Sequence, residues 1–163
     1  MFKELIHFFA SFPPEIATFF MSMIPFGELR LSIPVGVFAY HLRPVEVLLI
    51  SIIGNFIPVL LILILADKFH AWISKKSGFL ASKWVNTLNR AQEKFAHDYQ
   101  KYGLIGLMIF IGIPILGTGA YTGALAAFVF GIPFKKSWPY VLSGIVIAGI
   151  LTLLVTVGAD KIF

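Results

Sequence analysis

Two long apolar runs, from Pro44 to Ala66 and from Ser137 to Ala159, constrain the fold of this chain most strongly. At a rise of 1.5 Å per residue, each run would form a helix about 34 Å long, and the hydrocarbon core of a bilayer is about 30 Å thick. The composition agrees, because 58% of the residues are hydrophobic and 13% are charged, against about 25% charged in soluble domains. The sequence therefore predicts an all-α integral membrane protein.

Two other apolar segments are interrupted near their middle. The segment from Pro14 to Tyr40 contains "PFGELR", and the segment from Lys101 to Gly131 contains "GIPILGTG". Each half has about 11 to 15 residues, which is too short to cross a bilayer alone. Irregular backbone at membrane depth is tolerated only where it is buried in protein or lines a cavity. Each segment is therefore predicted to form a re-entrant helical hairpin.

The order of these segments repeats within one membrane domain, residues 1–163. A broken hairpin and a full helix fill residues 1–68, and the same pair fills residues 101–163. A re-entrant hairpin returns to its own side, so each repeat crosses the membrane once and the second repeat must be inverted. Inverted repeats whose broken helices meet near the midplane are typical of secondary transporters.

Residues 69–100 form a polar connector between the repeats. From Leu80 onward the apolar residues are spaced three or four apart, and they are Leu80, Trp84, Leu88, Ala91, Phe95, Tyr99 and Tyr102. This spacing predicts an amphipathic helix that lies at the membrane surface, and a small soluble helical lid is the alternative.

The basic residues indicate the orientation. Nine of the 13 Lys and Arg residues lie on the side that holds the connector, whereas Lys3, Arg43 and Lys161 lie on the other side. Positive residues accumulate in cytoplasmic loops, so we expect a multi-pass membrane protein with a cytoplasmic connector and both termini outside. This pattern gives no reason to expect a nucleic acid partner. Whether the N-terminal helix spans the membrane or lies on its surface is left open.

The first hairpin carries two opposite charges in "IPFGELRLSIPVG", Ile24 to Gly36. The guanidinium of Arg30 is suited to a phosphate or carboxylate, and Ser32 is a plausible N-cap for a helix with Pro34 in its first turn. Arg30 and Ser32 are therefore candidate substrate contacts, and Glu28 is a candidate for proton exchange because intramembrane ionisable residues are usually functional. The alternative is an internal salt bridge that only holds the hairpin together.

The second hairpin has no charge at its bend. Instead Gly117, Thr118 and Gly119 form a turn into a helix that is predicted to begin near Ala120. The N–H groups of a helix N-terminus bind anions, so these three residues are candidate substrate contacts; tight packing is the alternative. The turn lacks the lysine and spacing of a P-loop, so no nucleotide is expected.

Several residues are better explained by helix packing than by ligand binding. Small residues let two helix backbones approach closely, and amides hydrogen-bond across helices. The residues assigned to packing are Gly54, Asn55 and Pro58 in the first long run, and Gly119, Gly123, Ala127 and Gly131 at intervals of four. The chain has no cysteine, and its histidines lack metal-ligand spacing, so no metal or other cofactor is expected. The apolar segments contain no catalytic constellation, which argues against an enzyme.

The stretches "ELRLSIPVG", Glu28 to Gly36, and "GTGAYTGALAA", Gly117 to Ala127, resemble the small multidrug export protein family. That family is a distant branch of the DedA/VTT membrane superfamily. The resemblance implies two facing re-entrant hairpins, an integral inner-membrane location and, for the wider superfamily, proton-linked movement of polyprenyl-phosphate carriers or phospholipids. Glu28 and Arg30 match the charged tip of the first hairpin. DedA proteins carry an arginine in the second hairpin, where this chain has only glycine and threonine.

These observations favour a proton-coupled transporter or lipid flippase whose substrate has an anionic head and an apolar body. One alternative is an exporter of lipophilic cations that uses Glu28 as the cation site. Another is a membrane assembly protein that transports nothing. Because two full spans leave the hairpins poorly shielded, we expect a homo-oligomer, a dimer or larger.

Overall fold

The computed structural model describes residues 12–73, 75, 85–86, 103–113 and 119–160. The secondary structure of these residues is helical, without strands. The helices are α1 (Pro14–Ser22), α2 (Glu28–Phe38), α3 (Pro44–Ile73), α4 (described over Gly103–Gly112), α5 (Ala120–Val129) and α6 (Phe134–Asp160). The amphipathic helix predicted for the connector lies almost entirely outside the described residues.

The two long helices confirm the two predicted full-length apolar helices. Their apolar parts, Pro44–Ala66 and Phe134–Ala159, have mean hydropathies of 2.8 and 2.4 and are long enough to cross a membrane. Helix α6 begins three residues earlier than predicted, because Lys135 and Lys136 belong to its first turn and the apolar pattern did not include them. The Pro133 carbonyl accepts hydrogen bonds from Lys136 and Ser137 at this start.

One side of α3 presents a continuous row of exposed apolar side chains. They are spaced four apart along the helix: Val45, Leu49, Ile53, Ile57, Leu61 and Leu65. A helix in the core of a soluble protein would bury such a row. Exposed apolar rows of this length suit contact with lipid, which supports a membrane environment for α3.

The break in the first apolar segment is confirmed, with α1 and α2 separated by residues 23–27. The prediction that Ser32 is the N-cap of the second half is wrong, because α2 begins at Glu28 with Gly27 as its N-cap. Pro34 lies inside α2, not in its first turn. An interior proline removes one helical hydrogen bond, and here the helix continues through it for four more residues to Phe38.

Helices α2 and α3 pack antiparallel along one seam. Gly36 packs against Val47, where an added Cβ would lie 2.8 Å from a valine methyl. One turn along, the Ser32 hydroxyl donates a hydrogen bond of 2.7 Å to Ser51. One further turn brings Glu28 opposite Asn55.

Helix α1 lies beside the same part of α3. A Cβ on Gly54 would meet the Ser22 hydroxyl and would lie 2.7 Å from the Phe19 carbonyl. The Thr18 hydroxyl lies 3.3 Å from the position of a Cβ on Gly36. Helices α1 and α2 therefore form a hairpin that bends at the level of Gly54 in α3.

The second half has a similar local arrangement. Gly123 of α5 packs against Ile111 of α4, and Ile111 also packs against Gly144 of α6. Ala127 is fully buried, and Gly131, which has a positive φ of 69°, follows the end of α5. The inverted relation between the two halves, and a re-entrant path through a membrane, stay predictions.

Candidate functional site

The two helix breaks lie at the middle of the two apolar spans. Asn55, which faces Glu28 at the start of α2, has 11 residues of the span Pro44–Ala66 on each side. Gly112, at the end of α4, packs against Ile147, one of the two central residues of Phe134–Ala159. The breaks also contact each other, since Arg30 Nη2 donates to the Ile113 carbonyl at 3.2 Å.

Glu28 lies with its carboxylate at the N-terminus of α5. Its Oε2 is 3.5 Å from the Ala120 N–H, and the Tyr121 N–H faces the same carboxylate. The residue is 4% exposed. The start of α5, which the sequence suggested as a cradle for a substrate anion, therefore holds an anion of the protein itself. A helix N-terminus carries about half a positive charge, which stabilises an anion there.

The backbone of Glu28 is strained, with a φ of 51°. A left-handed conformation costs a residue other than glycine about 1–2 kcal/mol. Such strain is typical of functional positions whose surroundings fix the conformation. At Glu28 it directs the carboxylate out of the first turn of α2 and toward α5.

Gly119 makes room for the carboxylate. A Cβ at this position would collide with Glu28 Oε1 and would lie 2.6 Å from the carboxylate carbon. The Gly119 N–H is already used, since it donates to the Thr122 hydroxyl at 2.8 Å. The N–H groups of Ala120 and Tyr121 are left for the carboxylate.

Arg30 links the first break to the second. Its Nη1 is 3.4 Å from Glu28 Oε2, and its Nη2 reaches the carbonyl of Ile113, just after α4. The side chain is 15% exposed, and its buried Nε has no hydrogen-bond partner among the described residues. The contact with Glu28 is single and long, so Arg30 retains donor capacity for another anion.

Tyr121 provides the return link from the second break to the first. Its hydroxyl donates a hydrogen bond to the carbonyl of Met23, which follows α1. The sequence analysis did not identify Tyr121 or Thr122. Their place in the first turn after Gly119 was the available signal, because that turn holds the N–H groups of a helix terminus.

A cavity of about 350 Å³ opens beside the charged pair. Its lining combines apolar and polar groups from both breaks: Pro25, Phe26, Gly27, Glu28, Arg30, Gly119, Tyr121 and Thr122. Phe26 is 96% exposed. The volume is within the usual range of small-molecule sites, about 300–1,000 Å³.

Not every predicted site residue lies in this cavity. Ser32 is fully buried on the seam with α3 and bonds to Ser51. Gly117 and Thr118 lie outside the described residues. Asn55, assigned to packing, is fully buried near Glu28, and its two polar atoms have no hydrogen-bond partner in the described chain. Pro58 lies inside α3 without ending it.

The described residues offer no cluster of metal ligands, and they contain a second ion pair away from the site. Within the described ranges, no group of three or more His, Cys, Asp or Glu residues is placed to hold a metal. A second Arg–Glu pair, Arg43 with Glu46, lies exposed at the start of α3. It offers a natural comparison for the buried pair.

Comparison with known proteins gives one match. The sequence model of a family described as "Putative small multi-drug export protein" matches residues 28–151. Searches of curated proteins and of solved structures find no match. The matched region begins at Glu28 and includes Arg30, α3, α5 and most of α6. The link to the DedA/VTT superfamily stays a prediction. The family name and the two apolar spans together indicate a membrane-associated export protein. The chain belongs to the small multi-drug export protein family.

Proposed function

We propose that this protein is a proton-coupled membrane transporter whose substrate has an anionic head and an apolar body, such as a polyprenyl phosphate or a phospholipid. One observation carries the proposal. The Glu28 carboxylate occupies the backbone N–H groups at the start of α5, which a substrate anion would otherwise bind, and it does so beside a cavity midway along the apolar spans.

The electrostatics of the cavity favour an anionic head. Arg30 and the N–H groups at the start of α5 are both anion-binding groups. A cation that entered beside Glu28 would also lie close to Arg30. Two like charges 4 Å apart repel by about 4 kcal/mol at an effective dielectric constant of 20. That penalty opposes cation binding, whereas an anion gains from the same charge.

The rim of the cavity suits an apolar body. Pro25 and the highly exposed Phe26 belong to the lining, next to the charged pair. A lipid whose head reached Arg30 could keep its chain against this apolar rim. This division supports an amphipathic substrate over a small inorganic anion.

Competition for shared donors supplies the coupling. While Glu28 is ionised, its carboxylate occupies the start of α5 and one side of Arg30. A proton on Glu28 removes that charge and releases these donors to the substrate head. Substrate and proton then bind together, and both leave when Glu28 becomes ionised again.

We infer an inner-membrane setting in which both hairpins are re-entrant, the connector is cytoplasmic and copies of the chain associate. The position of both breaks at mid-span supports the re-entrant paths, because each hairpin would then bend at the bilayer midplane. Broken helices that meet at the midplane are a recurring site architecture in secondary transporters. We propose transport without chemical conversion of the substrate.

Export of lipophilic cationic drugs is the second candidate, and the family name favours it. In that case Glu28 would be the cation site. The two candidates differ in their dependence on Arg30, since removing it would harm anion transport and would relieve repulsion of a cation.

Proteoliposomes that contain the purified protein test the proposal. A fluorescent lipid phosphate and a fluorescent quaternary ammonium compound serve as the two substrates. We expect lipid phosphate movement to fall to background in Arg30→Gln at every pH, and to lose its pH dependence in Glu28→Gln. Unchanged lipid movement in both variants would refute the proposal.

The exposed pair provides the matched control. Arg43→Gln and Glu46→Gln make the same chemical changes at the surface end of α3. We expect both to transport like the wild type. Faster movement of the ammonium compound in Arg30→Gln, with no lipid movement in the wild type, would favour drug export instead.

A further inference from the structure

Asn55 is a buried amide without a partner. It is 0% exposed, and neither Nδ2 nor Oδ1 makes a hydrogen bond within the described part of the chain. Most buried polar side-chain atoms in proteins are hydrogen-bonded, so each exception needs an explanation. An amide that is buried at the middle of an apolar span needs such an explanation more than most buried polar groups do.

The surroundings of Asn55 limit the choice of partner. Its side chain lies close to the Glu28 carboxylate across the seam between α2 and α3, but neither Nδ2 nor Oδ1 makes a hydrogen bond of normal length and angle. One turn away on the same seam, Ser51 is already paired with Ser32. Glu28 is therefore the neighbour with a polar group that can turn toward the amide.

The other described groups around Glu28 favour its ionised form in the present position. They are the guanidinium of Arg30 from α2 and two backbone N–H groups from α5. Tyr121 of α5 is the other titratable side chain near Glu28, and its hydroxyl is engaged by Met23. Helix α4 contributes the Ile113 carbonyl, which binds Arg30. Of these groups, the Tyr121 hydroxyl and the Ile113 carbonyl can accept a hydrogen bond, and both are already hydrogen-bonded, to Met23 and to Arg30 respectively.

Asn55 differs from these groups because it has both a donor and an acceptor that are not engaged elsewhere in the described part of the chain. A carboxylate only accepts hydrogen bonds, whereas a carboxylic acid also donates one. The amide Oδ1 can accept from the carboxyl O–H while Nδ2 donates to its carbonyl oxygen. Both orphan atoms of Asn55 would then be satisfied by one side chain.

We propose that Asn55 is the positioning residue that receives Glu28 in its protonated form. Ionised Glu28 lies on the start of α5; protonated Glu28 turns to Asn55 and leaves that helix end and Arg30 open. The proton is carried on Glu28 throughout, and no covalent bond other than its O–H forms or breaks. The inference rests on the proposed function, because it describes the protonated half of the transport cycle.

Infrared difference spectra recorded during a pH titration in detergent test the pairing without any transport. The carboxyl C=O band that disappears in Glu28→Gln belongs to Glu28. We expect the wild-type band at the frequency of a hydrogen-bonded acid. In Asn55→Leu we expect it at the higher frequency of a free acid. Ser51→Ala is the matched control, being equally buried one turn away, and it should leave the band unchanged.

Transport provides the second readout. Loss of the amide removes a partner of the protonated form, so the pH midpoint of transport in Asn55→Leu should move to more acid pH by about one unit, a tenfold loss of proton affinity. If the leucine variant fails to fold, Asn55→Ala removes the amide without adding volume, and the wild-type band still reports hydrogen bonding.

The outcomes separate the two proposals. A wild-type band at the free-acid frequency, or a band that Asn55→Leu leaves in place, would overturn the pairing whatever the transport result. A band that shifts as expected in a protein that moves no substrate would support the pairing and refute the proposed function alone.

Discussion

The close approach between Gly119 and Glu28 gives the sharpest test of the site. In Gly119→Ala, the three atoms nearest to the new Cβ all belong to the Glu28 carboxylate, and the carboxylate carbon would lie 2.6 Å away. The backbone itself tolerates alanine, since Gly119 has an extended conformation with a φ of −142°. The substitution should therefore displace the carboxylate from α5 and leave the helix in place.

The size of the effect follows from the contacts that are lost. A hydrogen bond to a charged group contributes about 1.5–3 kcal/mol, and the contact with the Ala120 N–H is long at 3.5 Å. We expect a loss of about 1.5–2 kcal/mol of unfolding free energy. For a chain of this length that corresponds to a fall in Tm of about 3–8 °C. The methyl group also obstructs the substrate head, and a rise of about 2 kcal/mol in the transport barrier would slow substrate movement about 30-fold.

A double-mutant cycle in detergent checks the cause. With Glu28→Ala already present, the added methyl at Gly119 has space, so the second substitution should cost little stability. Gly158→Ala is the control, since among the described residues no atom beyond its own helix backbone lies within 4 Å of a Cβ there, and it should be neutral or stabilising. An equal cost of Gly119→Ala with and without the Glu28 carboxylate would contradict the placement of that carboxylate at α5.

Three further predictions concern the scaffold and use Tm in detergent as the measurement. Ser32→Ala should cost about 1 kcal/mol by leaving the buried Ser51 hydroxyl unpaired; transport should be unchanged, and an effect on substrate affinity would instead make Ser32 a substrate contact. Tyr121→Phe should lower stability by about 1 kcal/mol, because the Met23 carbonyl loses its donor; an unchanged Tm would show that this link contributes nothing. Gly36→Ala should cost about 1–3 kcal/mol by overpacking, since its Cβ would lie 2.8 Å from a valine methyl of α3; a neutral result would mean that the seam can widen.

The long helices and the first break could be predicted from the sequence because their signals are local. Hydropathy alone identifies Pro44–Ala66, and clustered proline and glycine mark residues 23–27 as a break. The start of α2 was misplaced at Ser32 because Pro34 has two compatible readings. A proline is common in a first turn and is also tolerated inside a membrane helix whose neighbours satisfy the freed groups. Only the packing of α2 against α3 decides between them.

The site was predictable in its chemistry and not in its pairing. Glycine before Ala120 does indicate a helix end that can hold an anion, and Glu28 and Arg30 were identified as candidate functional charges in the other hairpin. That the anion at α5 is Glu28 itself depends on a contact between residues 92 positions apart. The proposed role of Asn55 depends in the same way on its being opposite Glu28. No pattern among neighbouring residues in the sequence predicts which residues of two different helices lie opposite each other.

The partial charges of the helix ends at the two breaks explain why so apolar a chain carries both Glu28 and Arg30. Glu28 lies on the positive N-terminal end of α5, and Arg30 binds the carbonyl that follows α4, at that helix's negative end. Each end carries about half a charge, and the breaks bring together two N-terminal and two C-terminal ends, whose charges cancel. With Glu28 ionised the centre is therefore close to neutral. With Glu28 protonated it carries about one positive charge, largely on Arg30, in an apolar setting where such a charge is costly. In the transporter that we propose, a substrate anion would restore neutrality, and the charge balance would then favour the entry of one anion with each proton.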